Sequence, residues 1–391
     1  MPPDSGRPTW HLVTCEFPPR VGGVADFSRV AAGVLSREGP VHVWAPAPAR
    51  AACEGIVVHE LESGFSAASL RRLDSRLGAC VPPRRLFVQW VPHGYGYKSL
   101  NVPFCLWVRR RARRGDQVDL MIHEPFLAFD RRRPRQNVGA VAHRLMLRLL
   151  LGAATRVWVS TPSFIPDVHR FAPRPVTAAW LPVPSPISLL DAPDEVRRLR
   201  ASLAGDAPIV GHFGTCNALI APVLMETLER LSVLRPELRL IVVGRDTDAV
   251  TRALAARGRV APERIVRSGE QTGRDLSLLL QCCDVFVQPY HDGVSTRRTT
   301  LMALLQHGGA IVTARGPRTE DDWLSSAAVR LLPAADAALF ASAAHDLVAD
   351  AEARMQMADR ARELYAERFD ARHLRAALAA GVADREALLT C

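Results

Sequence analysis

Apolar runs of five to seven residues recur along the chain, separated by stretches whose apolar positions fall three and four apart. In the first half the runs are HLVTC (11–15), VHVWAP (41–46), IVVHEL (56–61), RLFVQWV (85–91), DLMIHE (119–124) and RVWVS (156–160). They are rich in Val, Leu and Ile, as strands covered on both faces are. Between them, Ala25–Ser36 and Ala140–Leu151 carry helical spacing. Strand–helix alternation predicts a mostly parallel sheet with helices on both sides, an α/β fold.

The proline-rich stretch LPVPSPISLLDAPDE (181–195) interrupts this pattern. Proline fixes φ and removes a backbone donor, so the stretch reads as an interdomain linker. The alternation then restarts with APIVGHFG (207–214), LRLIVVGR (238–245), RIVRSG (264–269), DVFVQPY (284–290) and AIVTAR (310–315). Helical spacing covers Pro222–Leu234 and Thr300–His307, and runs from Ala335 to about Leu389. The expected organisation is a Rossmann-like domain over 1–183, a linker over 184–206, a second Rossmann-like domain over 207–370, and a closing helix over 371–391. A length of 391 residues suits two such cores. No run approaches the roughly 20 apolar residues of a membrane-spanning helix. MPPDSGRPTWHLV lacks the basic-then-apolar layout of a secretory signal, so none is expected.

Composition narrows the partners. The net charge is +10, and Lys98 is the single lysine, so 49 of the 50 basic residues are arginine. That skew resembles a coding bias and weakens arguments from arginine clusters. RRRARR (109–114) and RRRPR (131–135) read as solvated faces, or as contacts to anionic lipid headgroups. Nucleic acid is not expected, because no recognition motif accompanies the charge. Eight scattered cysteines show no C-x-x-C and no zinc spacing, which favours buried thiols in a reducing compartment. The expected location is cytoplasmic, with peripheral contact at the inner face of an anionic membrane as the added expectation from the arginine runs.

Three loops carry candidate chemistry. RVGGVADFS places Gly22 and Gly23 between a strand and a helix, where bare backbone and a helix N-terminus can approach an anion. GHFGT repeats the device with Gly214 and Thr215. QPYHDGVSTRRTTLMALLQHGGAIVTA (288–314) puts a polar loop before a helix whose first turn holds Arg297 and Arg298. Cations there oppose the helix dipole, so their presence points to a bound anion such as a pyrophosphate. DTD (246–248) imitates a metal-binding Asp-x-Asp, but its place after a strand reads as a helix cap.

With those loops in place, the chain resembles glycosyltransferase family 4, retaining nucleotide-sugar enzymes of GT-B architecture, in which two Rossmann-like domains face each other across a cleft. The resemblance rests on FPPRVGGVADFS, IHEP (122–125), LMALLQHGGAIVTA and the tail RARELYAERFDARHL (360–374). It implies a sugar transfer from a UDP- or GDP-linked donor to a glycan, a lipid-linked or a small-molecule acceptor, without a metal or other cofactor. It places Gly22, Gly23, Gly214, Thr215 and Gly293 at the donor, and His123 and Asp292 at the reacting centre; the residues themselves add the loop hydroxyls of Ser295, Thr296 and Thr299 at the donor and the guanidiniums of Arg297 and Arg298 at the reacting centre. It assigns acceptor binding to the first domain, where VPHGYGYKSLN (91–101) offers His93, Tyr95, Tyr97 and Lys98, with Glu124 nearby. It also implies a last helix that returns to the first domain.

The sequence departs from the family's E-x(7)-E signature. Asp292-Gly293 stands for the first Glu-Gly, and the second glutamate falls on Thr300 or Ala303 depending on how the loop is aligned. The usual Arg and Lys after GHFGT are missing too, so Arg297 and Arg298, with Arg245 behind them, are the replacement charges. The missing carboxylate also motivates a non-catalytic relative that binds sugar nucleotide or glycan. A sugar-nucleotide epimerase or dehydrogenase is a further alternative, opposed by the absence of G-x-G-x-x-G.

Overall fold

The apolar runs become parallel strands because the inner ones are buried on both faces and each finds its ladder partners in other runs, the edge strands β3 and β10 staying partly exposed. The computed structural model describes residues 9–50, 55–96, 99–132, 134–271 and 273–380. Its contacts divide the chain into two units, one of residues 1–184 and 371–391 and the other of residues 185–370. In the first unit the order is β1 (Thr9–Val13), α1 (Gly23–Leu35), β2 (Val41–Pro46), β3 (Ile56–Leu61), α2 (Ala67–Ala79), β4 (Arg84–Trp90), α3 (Val102–Arg113), β5 (Gln117–Ile122), α4 (Pro134–Leu151), β6 (Arg156–Val159), α5 (Ile165–Phe171) and β7 (Ala178–Trp180). The second unit runs α6 (Pro193–Ala204), β8 (Ile209–Phe213), α7 (Ala221–Leu234), β9 (Arg239–Val243), α8 (Thr247–Ala256), β10 (Ile265–Gly269), α9 (Gly273–Cys282), β11 (Val285–Gln288), α10 (Thr299–Gln306), β12 (Ile311–Ala314), α11 (Asp322–Ser325), β13 (Arg330–Leu332), α12 (Ala337–Ala349) and α13 (Ala351–Leu364). A π-helical turn, Tyr365–Phe369, follows, and α14 (Ala371–Ala380) belongs to the first unit.

Both sheets are parallel, with orders β3-β2-β1-β4-β5-β6-β7 and β10-β9-β8-β11-β12-β13. Chain direction across the sheet therefore reverses between β1 and β4, and between β8 and β11. In open parallel sheets the crevice beyond the strand ends at such a reversal is where ligands bind. The loops after β1 and β4 flank it in one unit, and those after β8 and β11 in the other.

Each sheet buries its own core. In the first unit Leu12, Val43, Phe87, Met121 and Trp158 pack with Phe27, Ala31 and Leu35 of α1. Leu374, Ala377 and Leu378 of α14 join the same core, and Arg375 pairs with Glu38. In the second, Val210, Leu240, Val242, Val287 and Val312 pack on Leu224, Leu228 and Leu231 of α7 and Phe340 and Ala344 of α12. The stretch read as linker is not irregular throughout: Pro193 opens α6, in keeping with proline's fit to a first helical turn. Arg200 of α6 binds Asp284 at 2.9 Å and the Cys282 carbonyl, fastening it to the sheet.

Six described cysteines are free thiols, and burial pushes Cys105 and Cys216 up to about 12, so neither is a nucleophile at neutral pH. Across β1, β2 and β3, His11, His42 and His59 stack with Trp44, and His42 Nδ1 lies 2.9 Å from His59 Nε2.

Because Leu374 is fully enclosed, Leu374→Ala should cost about 2–5 kcal/mol. A denaturant midpoint equal to that of the unaltered chain would contradict the packing of α14.

Candidate functional site

The second unit gathers polar groups at the carboxyl ends of β8 and β11. β8 ends at Phe213, and the Gly214 N–H continues the ladder to the Val243 carbonyl. Gly244 follows β9 at φ 125°, and a Cβ on it would stand 2.2 Å from the Gly214 oxygen. Only glycine at 244 allows these two loops to touch, and Gly214 is itself buried with its N–H committed to the ladder, so the expected donor contact there is not a free N–H. His212, one residue before the strand end, is fully enclosed and donates from Nδ1 to the Val287 carbonyl at 2.9 Å. A carbonyl can only accept, so His212 Nε2 carries the lone pair. That atom has no partner, and it lies 3.7 Å from the point where a Gly214 Cβ would sit.

After β11 the chain turns through Tyr290 to Gly293. Gly293 has φ 90°, and a Cβ there would meet Thr319 Oγ1 at 2.3 Å, so the turn is clamped onto the loop after β12. Asp292 then receives the terminal nitrogens of both Arg297 and Arg298. Burial opposes ionisation of Asp292, but the guanidiniums of Arg298 and Arg297 outweigh it and hold the carboxyl below its ordinary range. Arg298 lies over the Tyr290 ring at 4.7 Å, and the Tyr290 hydroxyl meets Thr300 Oγ1 at 3.0 Å. The Thr300 side chain is 3.8–3.9 Å from the Gly214 Cβ point, which joins the two loops into one patch.

The two arginines therefore do not point into bulk solvent; their side chains are 17% and 21% exposed. Asp292 thus gathers both guanidiniums at the start of α10, and the Glu320 carboxylate lies on the adjacent Thr296. Arg298 is the N-cap, and no side chain caps the helix.

Some expected donor contacts are otherwise engaged. Thr296 gives its N–H (3.1 Å) and hydroxyl (2.8 Å) to Glu320, which also receives Trp323 Nε1. That corrects the expectation for Thr296: both of its donors are committed inside the fold. The Gly293 N–H is likewise bonded to the Tyr290 carbonyl. Ser295 is buried with its hydroxyl unmatched, while Thr299 and Thr215 remain half-exposed in the patch. Asp246 occupies the N-cap of α8 without a side-chain bond; Thr247 ties the loop instead, donating to the Gly244 carbonyl and accepting from the Gly269 N–H. Asp248 accepts from Ser268.

The first unit has polar groups of its own at its strand ends. Gly22 is the N-cap of α1 with φ 169°, extended backbone that any residue adopts, so positive φ does not select glycine there. No side chain caps that helix, and Gly23 at its start is exposed. His123 follows β5, with its N–H on the Trp90 carbonyl and Nε2 2.9 Å from Gln89 Oε1. Its ring stands edge-on to Phe27 of α1 at 5.0 Å. Burial lowers His123 to about 3, so it is a neutral hydrogen-bonding ring and not a cation at neutral pH. His93 and Glu124 come together at 3.8 Å on the loops after β4 and β5.

Tyr95 is a correction. It is wholly buried, donates to the Gln89 carbonyl, and stacks on Phe104 at 4.3 Å, so it supports the loop and offers nothing to a ligand. Tyr97 and Lys98 lie outside the described residues.

Solved structures share this fold. Sucrose-phosphate synthase from Thermosynechococcus elongatus matches with a TM-score of 0.73 at 14% identity, covering 98% of this chain and 100% of that one. Anabaena HepE in complex with UDP-glucose matches at 0.71 and 14% identity, over 98% and 100%. WaaG, a glycosyltransferase involved in lipopolysaccharide biosynthesis, matches at 0.67 and 16% identity, over 94% and 97%. The fold is GT-B. No protein-family model matches the sequence, and no curated protein does.

Within this GT-B chain three site residues escaped the sequence reading: His212, Gln89 and Gln288. Gln288 is fully buried, donates to the Phe213 carbonyl at 3.1 Å and keeps Oε1 unmatched; Gln89 keeps Nε2 unmatched. A signal existed. FVQ occurs in both RLFVQWV and DVFVQPY, and a glutamine closing a doubly buried strand is conspicuous.

Burial lowers His11 to about 3, His59 to about 4 and His212 to about 4, alongside His123; neighbouring His42 adds to the effect at His11 and His59. In the unfolded chain these rings bind protons near 6.5, and in the folded chain only below about 4. The unfolded state thus holds more protons across that window, and stability falls as pH drops from about 6.5 toward 4. Calorimetric midpoints should decline steadily over this range, and less steeply in His59→Gln; a flat profile would contradict the assignment.

Proposed function

We propose that the protein is a retaining glycosyltransferase, moving a sugar from a nucleoside-diphosphate sugar to a glycan or lipid-linked acceptor without a metal. The observation that carries this reading is the Asp292–Arg297–Arg298 cluster that Tyr290 and Thr300 join to the Gly214 turn, at the carboxyl end of the second unit's sheet. A departing nucleoside diphosphate gathers negative charge as the sugar becomes oxocarbenium-like. Fixed guanidiniums and backbone N–H groups placed at that charge stabilise the transition state without reorganising. The structural neighbour crystallised with UDP and UDP-glucose adds support for a uridine donor.

In this reading the bond between the anomeric carbon and the phosphate oxygen breaks, and a new bond forms to the acceptor oxygen on the same face. The acceptor's proton leaves with the departing phosphate, so no protein nucleophile is required. Asp292 holds the two forks in register, and Thr300, Gly214 and Thr215 border the diphosphate. In the first unit, neutral His123 orients the transferring sugar, and His93 with Glu124 meets the acceptor.

The position aligned with the second signature glutamate favours one other reading. Ala303 is fully buried, and Thr300 already serves Tyr290, so neither brings a carboxylate. A non-catalytic GT-B protein that binds sugar nucleotide would share every other feature.

UDP or GDP should raise the thermal midpoint, and ADP should not. Arg298→Ala should abolish the shift and lower nucleotide release by roughly 100-fold or more. Asp292→Asn should retain the shift but lose turnover, and a chelator should change neither. Binding without release on any acceptor would support the non-catalytic reading; full activity in both variants would remove the site assignment.

A further inference from the structure

The two arginine runs of the first unit are built in differently. In 109–114, Arg111 is enclosed between Asp116 and Asp74, and Arg110 and Arg114 also reach Asp74 at 3.8 and 2.8 Å. Arg111 thus braces α3 from within the fold, and the exposed Arg110 and Arg114 are drawn onto the same aspartate. The second run leads into α4, and Arg131, Arg132 and Arg135 are exposed.

α4 is amphipathic on one side only. Ala140, His143, Met146, Leu147, Leu150 and Leu151 face the core. Its outer face should then be polar, yet Val138, Val141 and Leu145 stand there 71%, 58% and 51% exposed. Their spacing of three and four residues sets them in one stripe. Phe129, 56% exposed, extends the stripe; its ring lies on the Arg144 guanidinium at 4.0 Å, and Arg144 is anchored to the carbonyls of Leu127 and Ala140. From residue 131 to 154 the chain has six arginines and no aspartate or glutamate.

We propose that this face of α4, with Phe129, docks on an anionic lipid bilayer. The apolar stripe enters the boundary between headgroups and acyl chains, and Arg131, Arg132, Arg135 and Arg148 meet lipid phosphates. Charge selects this occupant. A second copy seated on the stripe would oppose one acid-free arginine segment to another, and nucleic acid would leave the apolar side chains uncovered. Because α4 starts from the same end of the sheet as His123, docking brings the first unit's loops toward the bilayer. A lipid-linked acceptor follows from that orientation, and this last step alone rests on the sugar-transfer reading.

The test is co-sedimentation of the full chain with vesicles of equal parts phosphatidylglycerol and phosphatidylcholine, against phosphatidylcholine alone. Binding to the anionic vesicles only is expected, weakening as salt rises. Val138→Ser/Val141→Ser/Leu145→Ser should lower it by roughly tenfold or more, and Arg131→Ser/Arg132→Ser/Arg135→Ser should remove the preference for the anionic lipid. All six side chains are exposed, so the thermal midpoint and its shift with nucleotide should stay as in the unaltered chain, which separates this inference from the donor site. No binding to anionic vesicles at low salt, or equal binding by the apolar variant, would overturn it. So would light scattering that shows a dimer which the apolar variant abolishes.

Discussion

A parallel strand buried on both faces can carry almost no polar side chain, and this constraint organises both units. Backbone groups are consumed by the ladders, and the faces are closed by helices, so recognition chemistry is driven to the carboxyl ends of the strands. The few polar residues inside the strands are correspondingly informative. Gln89 closes toward His123, Gln288 toward the Phe213 carbonyl, and His212 toward the Val287 carbonyl, each leaving one polar atom unmatched. β4 and β11 occupy the same place in their sheets, immediately across the reversal from β1 and β8. The repeated FVQ is thus one structural solution used twice, a side-chain amide bracing the crevice where the chain direction reverses.

Electrostatics in the second unit follow from where α10 begins. Arginine at a helix N-terminus is unfavourable against the dipole, and Asp292 offsets that by drawing both guanidiniums onto one carboxylate. Tyr290 adds a ring face under Arg298, and the ring is itself fixed through Thr300. The cluster is therefore rigid before any anion arrives. Rigidity matters because the benefit of a fixed charge lies in avoiding reorganisation during reaction.

Much of the fold was legible because burial writes itself into hydropathy. VHVWAP and IVVHEL coincide with β2 and β3 residue for residue, and the other long runs differ from their strands by a residue or two at the ends. β7 and β13 are three residues each, too short to signal, and α6 hid behind the prolines that start it. The site was less legible because loops are read by side-chain direction, which spacing does not encode. Tyr95 lies in a Gly-rich loop and still turns inward, since Gly94 lets that loop lie against Cys15. Thr296 stands among the loop hydroxyls expected at the donor, yet Glu320, 24 residues further on, claims it. Arg297 and Arg298 were visible through their number and place, but the carboxylate between them was visible only once the turn at Gly293 was known.

The register of α10 decides what a carboxylate at 300 or 303 would meet. Thr300 faces Gly214 and Tyr290, while Leu301, Met302, Ala303 and Leu304 are all buried, and His307 reaches Ser277 at 2.9 Å. A glutamate at 303 would place a charge in that enclosure, and alanine avoids the cost. A glutamate at 300 would meet Tyr290 and the Gly214 backbone directly. The chain instead keeps a short hydroxyl there and sets an enclosed imidazole lone pair, His212 Nε2, within reach of the same backbone. Replacing a charged acceptor by a neutral one removes a repulsion toward any diphosphate nearby.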